Sequence, residues 1–153
     1  MNIRTRKTHH VIPILLVVLM LQAVLTCSSD VNYSPPTGST DTANTHYSFG
    51  KIIVNGTTFE TDIMIMPGQE ARMWKFGINH QFHPNDVQAI VDGTVSKFII
   101  GTGASEGTLV MQQTLDFLQS KGIEYTILNT YDAVRLFNKS TKTGLAAFFH
   151  INC

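Results

Sequence analysis

The sequence predicts an α/β domain: a mixed sheet in three layers, opened by a β-hairpin. Three observations carry this. A β-prone run, Phe49–Val54, meets Asn55-Gly56, the dipeptide that best signals a tight hairpin. Lys97-Phe98-Ile99-Ile100 is almost wholly apolar, as a strand buried on both faces must be, and it runs straight into a glycine-rich turn. From there strand and helix patterns alternate β-α-β-α-β, an order that crossovers over a partly parallel sheet satisfy.

The elements follow in order. After the hairpin turn, Thr57 to Glu60 returns as a strand. Asp62–Met66 is the next strand, ended by Pro67-Gly68, and Ala71–Phe76, carrying Trp74, is another. A loop with His80 and His83 leads to Pro84-Asn85-Asp86, which starts a helix: proline suits the first turn and an acid suits the positive end of the helix dipole. Val87, Ile90 and Val91 form its apolar face. Gly101–Gly107 then opens a helix from Leu109 to Ser120, with Leu109, Leu115 and Leu118 inward and Lys121-Gly122 closing it. Ile123–Leu128 is a strand. Asn129 caps a helix with Asp132 at its third position, and Val134 and Phe137 face inward. Asn138–Gly144 turns the chain into the last strand, Leu145–Phe149.

A chain of 153 residues suits one compact domain and leaves no room for a two-domain enzyme. Its formal charge is zero only as an average. Residues 1–26 hold Arg4, Arg6 and Lys7 and no acid, so the remainder has 8 basic against 11 acidic residues, a net −3. No nucleic-acid footprint is expected from that balance. Two cysteines allow one bridge at most, which excludes a disulfide-stapled miniprotein.

The basic start precedes an apolar run from Val11 to Leu25. As a helix that run spans about 22 Å, short of a ~30 Å hydrocarbon core. Residues 1–26 therefore read as a signal peptide or an uncleaved signal-anchor with the domain outside. Val24-Leu25-Thr26-Cys27 resembles a bacterial lipobox, although Leu25 and Thr26 are bulkier than the residues usual there, and Cys27 is the candidate for lipidation. Residues 27–46, rich in Ser, Thr, Asn, Asp and Pro, read as a flexible polar tether, which leaves 47–153 as the folded domain. The membrane is thus an expected partner, through the N-terminal segment or a lipid.

Chemistry is harder to place. Gly101-Thr102-Gly103-Ala104-Ser105-Glu106-Gly107 sits between a buried strand and a helix, where backbone amides can cradle an anion. It has no Gly-Lys-Ser/Thr, and its spacing is GxGxxxG rather than GxGxxG. Glu106 would repel an anion, so tight turning and close helix–sheet packing are the simpler role. His80 and His83 form an HxxH without a Cys or Asp pair at metal spacing, and no metal site is assigned. Ser105, His150 and Asp132 lack the strained elbow a nucleophile needs, and no catalytic residue is assigned. Asn-x-Ser/Thr occurs at Asn32, Asn55 and Asn138 and matters only in a eukaryotic secretory pathway. Cys153 reads as a small buried hydrophobe or as a disulfide partner for Cys27, a fate that excludes lipidation there.

SFGKIIVNG, the Trp74 strand, FIIGTGASEG, Lys121-Gly122-Ile123, Thr130-x-x-Ala133-x-x-x-Phe137-Asn138 and the final GLAAFFHINC together resemble the Mth938-like domain family over Ser48–Cys153. Within it they are most similar to the adipogenesis-associated Mth938 domain-containing proteins. The resemblance implies a compact mixed-sheet α/β unit. It implies no established enzymatic activity and no cofactor; relatives include a mitochondrial complex I assembly factor. It also implies a pocket lined by Gly101, Gly103 and Glu106 with Thr130 nearby. With His80 added, these are the candidate ligand-binding residues.

The sequence thus reads as a non-catalytic, exported or membrane-tethered module that binds a protein partner. The alternative is a small-molecule-binding or weakly enzymatic domain that uses the Gly101–Gly107 loop. The intact mass of the mature native protein tests the anchor. The lipobox predicts Cys27 as the new N-terminus with added acyl mass, whereas a Cys27–Cys153 bridge would exclude it.

Overall fold

The computed structural model describes residues 44–75, 80–88 and 91–153. The expected export segment over 1–26, Cys27, nearly all of the tether, Phe76 and Ile90 lie outside the described residues. The first three strands, β1 (Thr45–Ser48), β2 (Lys51–Val54) and β3 (Thr57–Phe59), form an antiparallel meander. At the second turn Asn55 and Gly56 take φ 49° and 84°, as the right-handed twist of a two-residue hairpin demands. The expected strand from Phe49 is broken, because Phe49-Gly50 is itself a turn with Gly50 at φ 74°. Ordered structure also starts before Tyr47. Thr45 is buried, and its carbonyl accepts from Asn138 Nδ2 at 2.7 Å, a long-range bond that composition alone does not announce.

The main sheet uses β4 (Ile63–Ile65), β5 (Arg72–Met73), β7 (Lys97–Thr102), β9 (Glu124–Leu128) and β10 (Leu145–His150), in the order β5-β4-β10-β7-β9. β10 pairs antiparallel with β4 and parallel with β7, and β7 pairs parallel with β9, so the sheet is mixed. Being central, β10 is buried at all six positions. Its side chains divide by the period of two. Leu145, Ala147 and Phe149 join Ile63, Ile65 and Ile99 on one face, where α3 (Thr130–Lys139) and the meander pack. Ala146 and Phe148 join Met64, Phe98 and Ile100 on the other, under α1 (Pro84–Gln88) and α2 (Gln112–Ser120). These faces make the three layers that the element order requires.

Two expected elements are markedly shorter than the pattern suggests. Ala71–Phe76 reduces to the two residues of β5, paired with Ile63 and Met64, after which the Trp74 amide donates to the Asp62 carbonyl at 2.8 Å. The helix expected from Leu109 starts at Gln112. Leu109–Val110 is instead a short strand, β8, paired parallel with β6 (Gln81–Phe82). Leu109 consequently points outward, Leu115 is only half-buried, and Thr114 takes the inner position, its hydroxyl donating to the Phe82 carbonyl at 2.7 Å. Asn129 does cap α3: its side chain accepts from the Asp132 amide at 2.9 Å, one reciprocal half of a capping arrangement. Before β7, the Thr94 hydroxyl and amide both donate to Asp92, which holds that carboxyl below its usual range.

Packing assigns the energetics. Phe148 is fully buried and stacks on Phe82 with ring centroids 4.8 Å apart. Phe148→Ala should cost about 3–5 kcal/mol, whereas Leu109→Ala should cost under about 1 kcal/mol. Urea unfolding of the two variants measures the contrast, and equal costs would contradict the outward placement of Leu109.

Candidate functional site

The strand ends β7 and β10 and the start of α3 meet at Thr130. Gly101 faces α3 from β7, and a Cβ there would lie 2.9 Å from Thr130 Oγ1 and 3.0 Å from the Phe149 ring. Only glycine lets the helix approach the sheet this closely. Thr130 is fully buried and uses its whole polar capacity locally. Its hydroxyl donates to the His150 carbonyl at 2.6 Å and accepts from the Gly103 amide at 2.9 Å. Its own amide donates to the Gly103 carbonyl at 2.9 Å. Threonine at the first helical position can do this because the first amides of a helix have no partner within it.

The glycine loop then receives residues 151–153. The Ala104 amide donates to the Asn152 carbonyl at 2.9 Å and the Gly107 amide to the Cys153 carbonyl at 3.2 Å. Gly103 takes φ 103°, and a Cβ on it would fall 1.7 Å from the Cys153 carbonyl oxygen. Three amides that a phosphate-cradling loop would offer, those of Gly103, Ala104 and Gly107, are therefore taken by acceptors of the chain itself.

Next to this lies a part-buried histidine–aspartate contact. His150 Nδ1 stands 2.9 and 3.0 Å from the two carboxylate oxygens of Asp62, and the Ile151 amide donates to Oδ1 at 3.0 Å. Imidazole Nδ1 facing a carboxylate must carry the proton. The sequence offered Asp132 as the acid nearest in role, but Asp132 pairs with Arg135 at 3.1 Å and with Asn129. Asp62 was missed because its approach to His150 follows from the antiparallel register Ile63↔Phe149, which no local motif encodes.

The five candidate ligand residues thus separate into three places. Gly101, Gly103 and Thr130 come together as a closed, buried junction. Glu106 is exposed at φ 57° and lines a cavity of about 250 Å³ with Thr102, Thr108, Leu109, Val110, Ile127 and Leu128. His80 is exposed at φ 55°, with its ring edge-on to that of His150 at 5.3 Å and its carbonyl accepting from the Leu109 amide at 2.8 Å. His83 precedes α1, and its amide donates to the capping carboxylate of Asp86, at Oδ2, over 2.7 Å. Among the described residues no three His, Cys, Asp or Glu side chains gather as a metal site. A larger groove of about 470 Å³ lies between the meander and the α3–β10 connection, and none of the five lines it. At its rim Lys142 Nζ donates to the Phe137, Asn138 and Ser140 carbonyls and sits over the Phe137 ring.

Thr130→Val should destabilise the domain by about 2–4 kcal/mol, because it strands a buried amide and a buried carbonyl. Thr130→Ser keeps the hydroxyl and should cost about 1 kcal/mol, the loss of one methyl. Urea unfolding compares them. Equal costs would mean that packing, not the hydroxyl, holds the junction.

Solved structures share this architecture. A conserved hypothetical protein from Pyrococcus horikoshii OT3 is 20% identical, with a TM-score of 0.63 over 71% of this chain and 97% of that one. An outer membrane protein from Bartonella henselae is 18% identical, with a TM-score of 0.61 over 74% and 96%. A Bordetella pertussis protein, itself a Mth938-like domain, is 16% identical, with a TM-score of 0.54 over 78% and 91%. At such identities the likeness concerns the fold. The sequence itself matches the family model described as protein of unknown function (DUF498/DUF598) across residues 44–150, and the chain belongs to that family, with the Mth938-like fold.

Proposed function

We propose that this chain is a non-catalytic module, exported and held at the cell envelope by its N-terminal segment, that binds a protein partner through the margins of its main sheet. One observation carries the binding reading. Both edge strands expose apolar side chains: Met73 on β5 is 70% exposed and Ile127 on β9 is 38% exposed, with Leu109 close by at 59%. Large apolar groups at unpaired sheet edges favour association with another chain. The envelope location is supported by the basic start and apolar run of residues 1–25. The likeness in fold to a Bartonella henselae outer membrane protein agrees with it. Among the described residues no helix is long and apolar enough to cross a membrane, so the anchor in this proposal is the segment Val11–Leu25 or a lipid on Cys27. Kinship to the adipogenesis-associated branch belongs to the same proposal and rests on the motifs from SFGKIIVNG to GLAAFFHINC.

A photo-crosslinking side chain placed at Met73 or Ile127 of the full chain in its native membrane tests the reading. Adducts with another protein should form at one or both edge positions and not at the exposed Glu60 or Lys139. Unmodified monomer at every position would refute partner binding, and recovery of the chain in the cytosol would refute export.

A further inference from the structure

We propose that the outer edge of β9, with the cavity beside it, docks an extended peptide segment of a partner that carries a basic residue beside an apolar one. This rests on the protein-binding reading above and gives it a site and a chemistry.

The backbone comes first. Among the described residues β9 ends the main sheet and pairs with β7 alone. The Glu124 amide donates to the Ser96 carbonyl at 3.0 Å, so by strand alternation the amides of Glu124, Thr126 and Leu128 face β7. Those of Tyr125 and Ile127 face away, with their carbonyls, and offer two donors and two acceptors in ladder geometry. Exposed edges are usually blunted by lysine, proline or a bulge. Glu-Tyr-Thr-Ile-Leu has no lysine or proline, and its one charged residue, Glu124, stands at the end of the strand. Strand addition to such an edge supplies affinity through main-chain hydrogen bonds and specificity through alternate side chains.

The cavity supplies the specificity. It lies between Ile127 and Leu128 of β9 and Leu109 and Val110 of β8, and its volume of about 250 Å³ suits a side chain rather than a cofactor. Its lining includes Thr108, only 5% exposed, whose hydroxyl is buried without a hydrogen-bond partner. A buried hydroxyl left so is costly, and a polar group on an incoming segment would satisfy it.

Charge then selects the occupant. Glu106 is the charged residue in that lining, and it is exposed. Glu124 starts β9, at the end of the strand away from Ile127 and Leu128, and does not line the cavity. A cation on the incoming segment therefore finds its complement at Glu106. The same charge disfavours a second copy of this chain. Antiparallel self-pairing centred on Thr126 would set Glu124 of one copy opposite Leu128 of the other, and Leu128 shares its cavity with Glu106.

The test uses the full chain in detergent micelles and two synthetic probes, acetyl-Thr-Val-Lys-Val-Thr-amide and its Lys→Glu counterpart. The lysine peptide should bind with amide shifts at Tyr125 and Ile127, and the glutamate peptide about fivefold more weakly, the upper end for an exposed ion pair. Glu106→Lys should reverse that order, which a merely unfolded variant would not do. Equal binding of both peptides, shifts confined to another face, or a dimer dissociated by Ile127→Arg would overturn the proposal. So would protein adducts at Ile127 that persist unchanged in Glu106→Lys, an outcome that leaves the broader protein-binding reading intact.

Discussion

One hydroxyl sets the terms for this domain. Thr130 stands where two parallel strands end and a helix begins, and its oxygen serves both strands at once. It accepts from Gly103 beyond β7 and donates to the carbonyl of His150 on β10. The consequences spread outward along the chain. Position 101 must be glycine, because a Cβ would occupy the space of that oxygen. The strand-to-helix loop must then turn back across residues 151–153, and Gly103 reaches them only because it has no side chain. A loop whose spacing suggests ligand binding is thereby used to close the fold. Glycine-rich turns after buried strands serve phosphates and helix packing by the same means, close approach of backbone. The difference lies in what occupies the amides.

The parts of the fold that were legible in the sequence are those whose cause is local. The turn at Asn55-Gly56 needs two positive φ angles, and the sequence supplies residues that tolerate them. Asn129 and Asp132 lie three apart, as a cap requires, and they pair as such. The apolar runs at Lys97–Ile100 and Leu145–Phe149 mark strands buried on both faces because alternation fails there for a physical reason, a helix-bearing layer on each side.

What was not legible depends on register. Leu109 fits the apolar stripe of a helix, yet β6 captures it and Val110 in a two-residue parallel ladder, and Thr114 takes the inward place with its hydroxyl satisfied by Phe82. Thr45 and His46 look like tether until Asn138, on another element, bonds the Thr45 carbonyl. Asp62 and His150 are 88 residues apart, and only the pairing of β4 with β10 makes them neighbours. The candidate site divides along the same line. The glycines and Thr130 could be named from spacing and resemblance, but that they close on each other is a tertiary fact. The charge of Glu106 speaks against an anion at the loop. The place of Glu106 in a cavity with Ile127 and Leu128 is likewise tertiary, set by elements that lie apart in the chain.

The arrangement of the layers explains why apolar surface stays exposed at the sheet margin. Burial of both faces concentrates in the centre: β10 is covered at every position, and β7 at all but its first. With three helices among the described residues, the last of them anchored over β7 and β10 by Thr130, cover does not extend fully to β9, where three of five residues are exposed. A domain this small cannot lengthen its helices without enlarging its core, and so at least one edge of a five-stranded open sheet stays thinly covered. The junction that fixes α3 at the centre and the exposure of β9 at the margin are two results of one packing choice. At the glycine loop the amides of Gly103, Ala104 and Gly107 are bonded within the chain, whereas at β9 three of five residues face solvent.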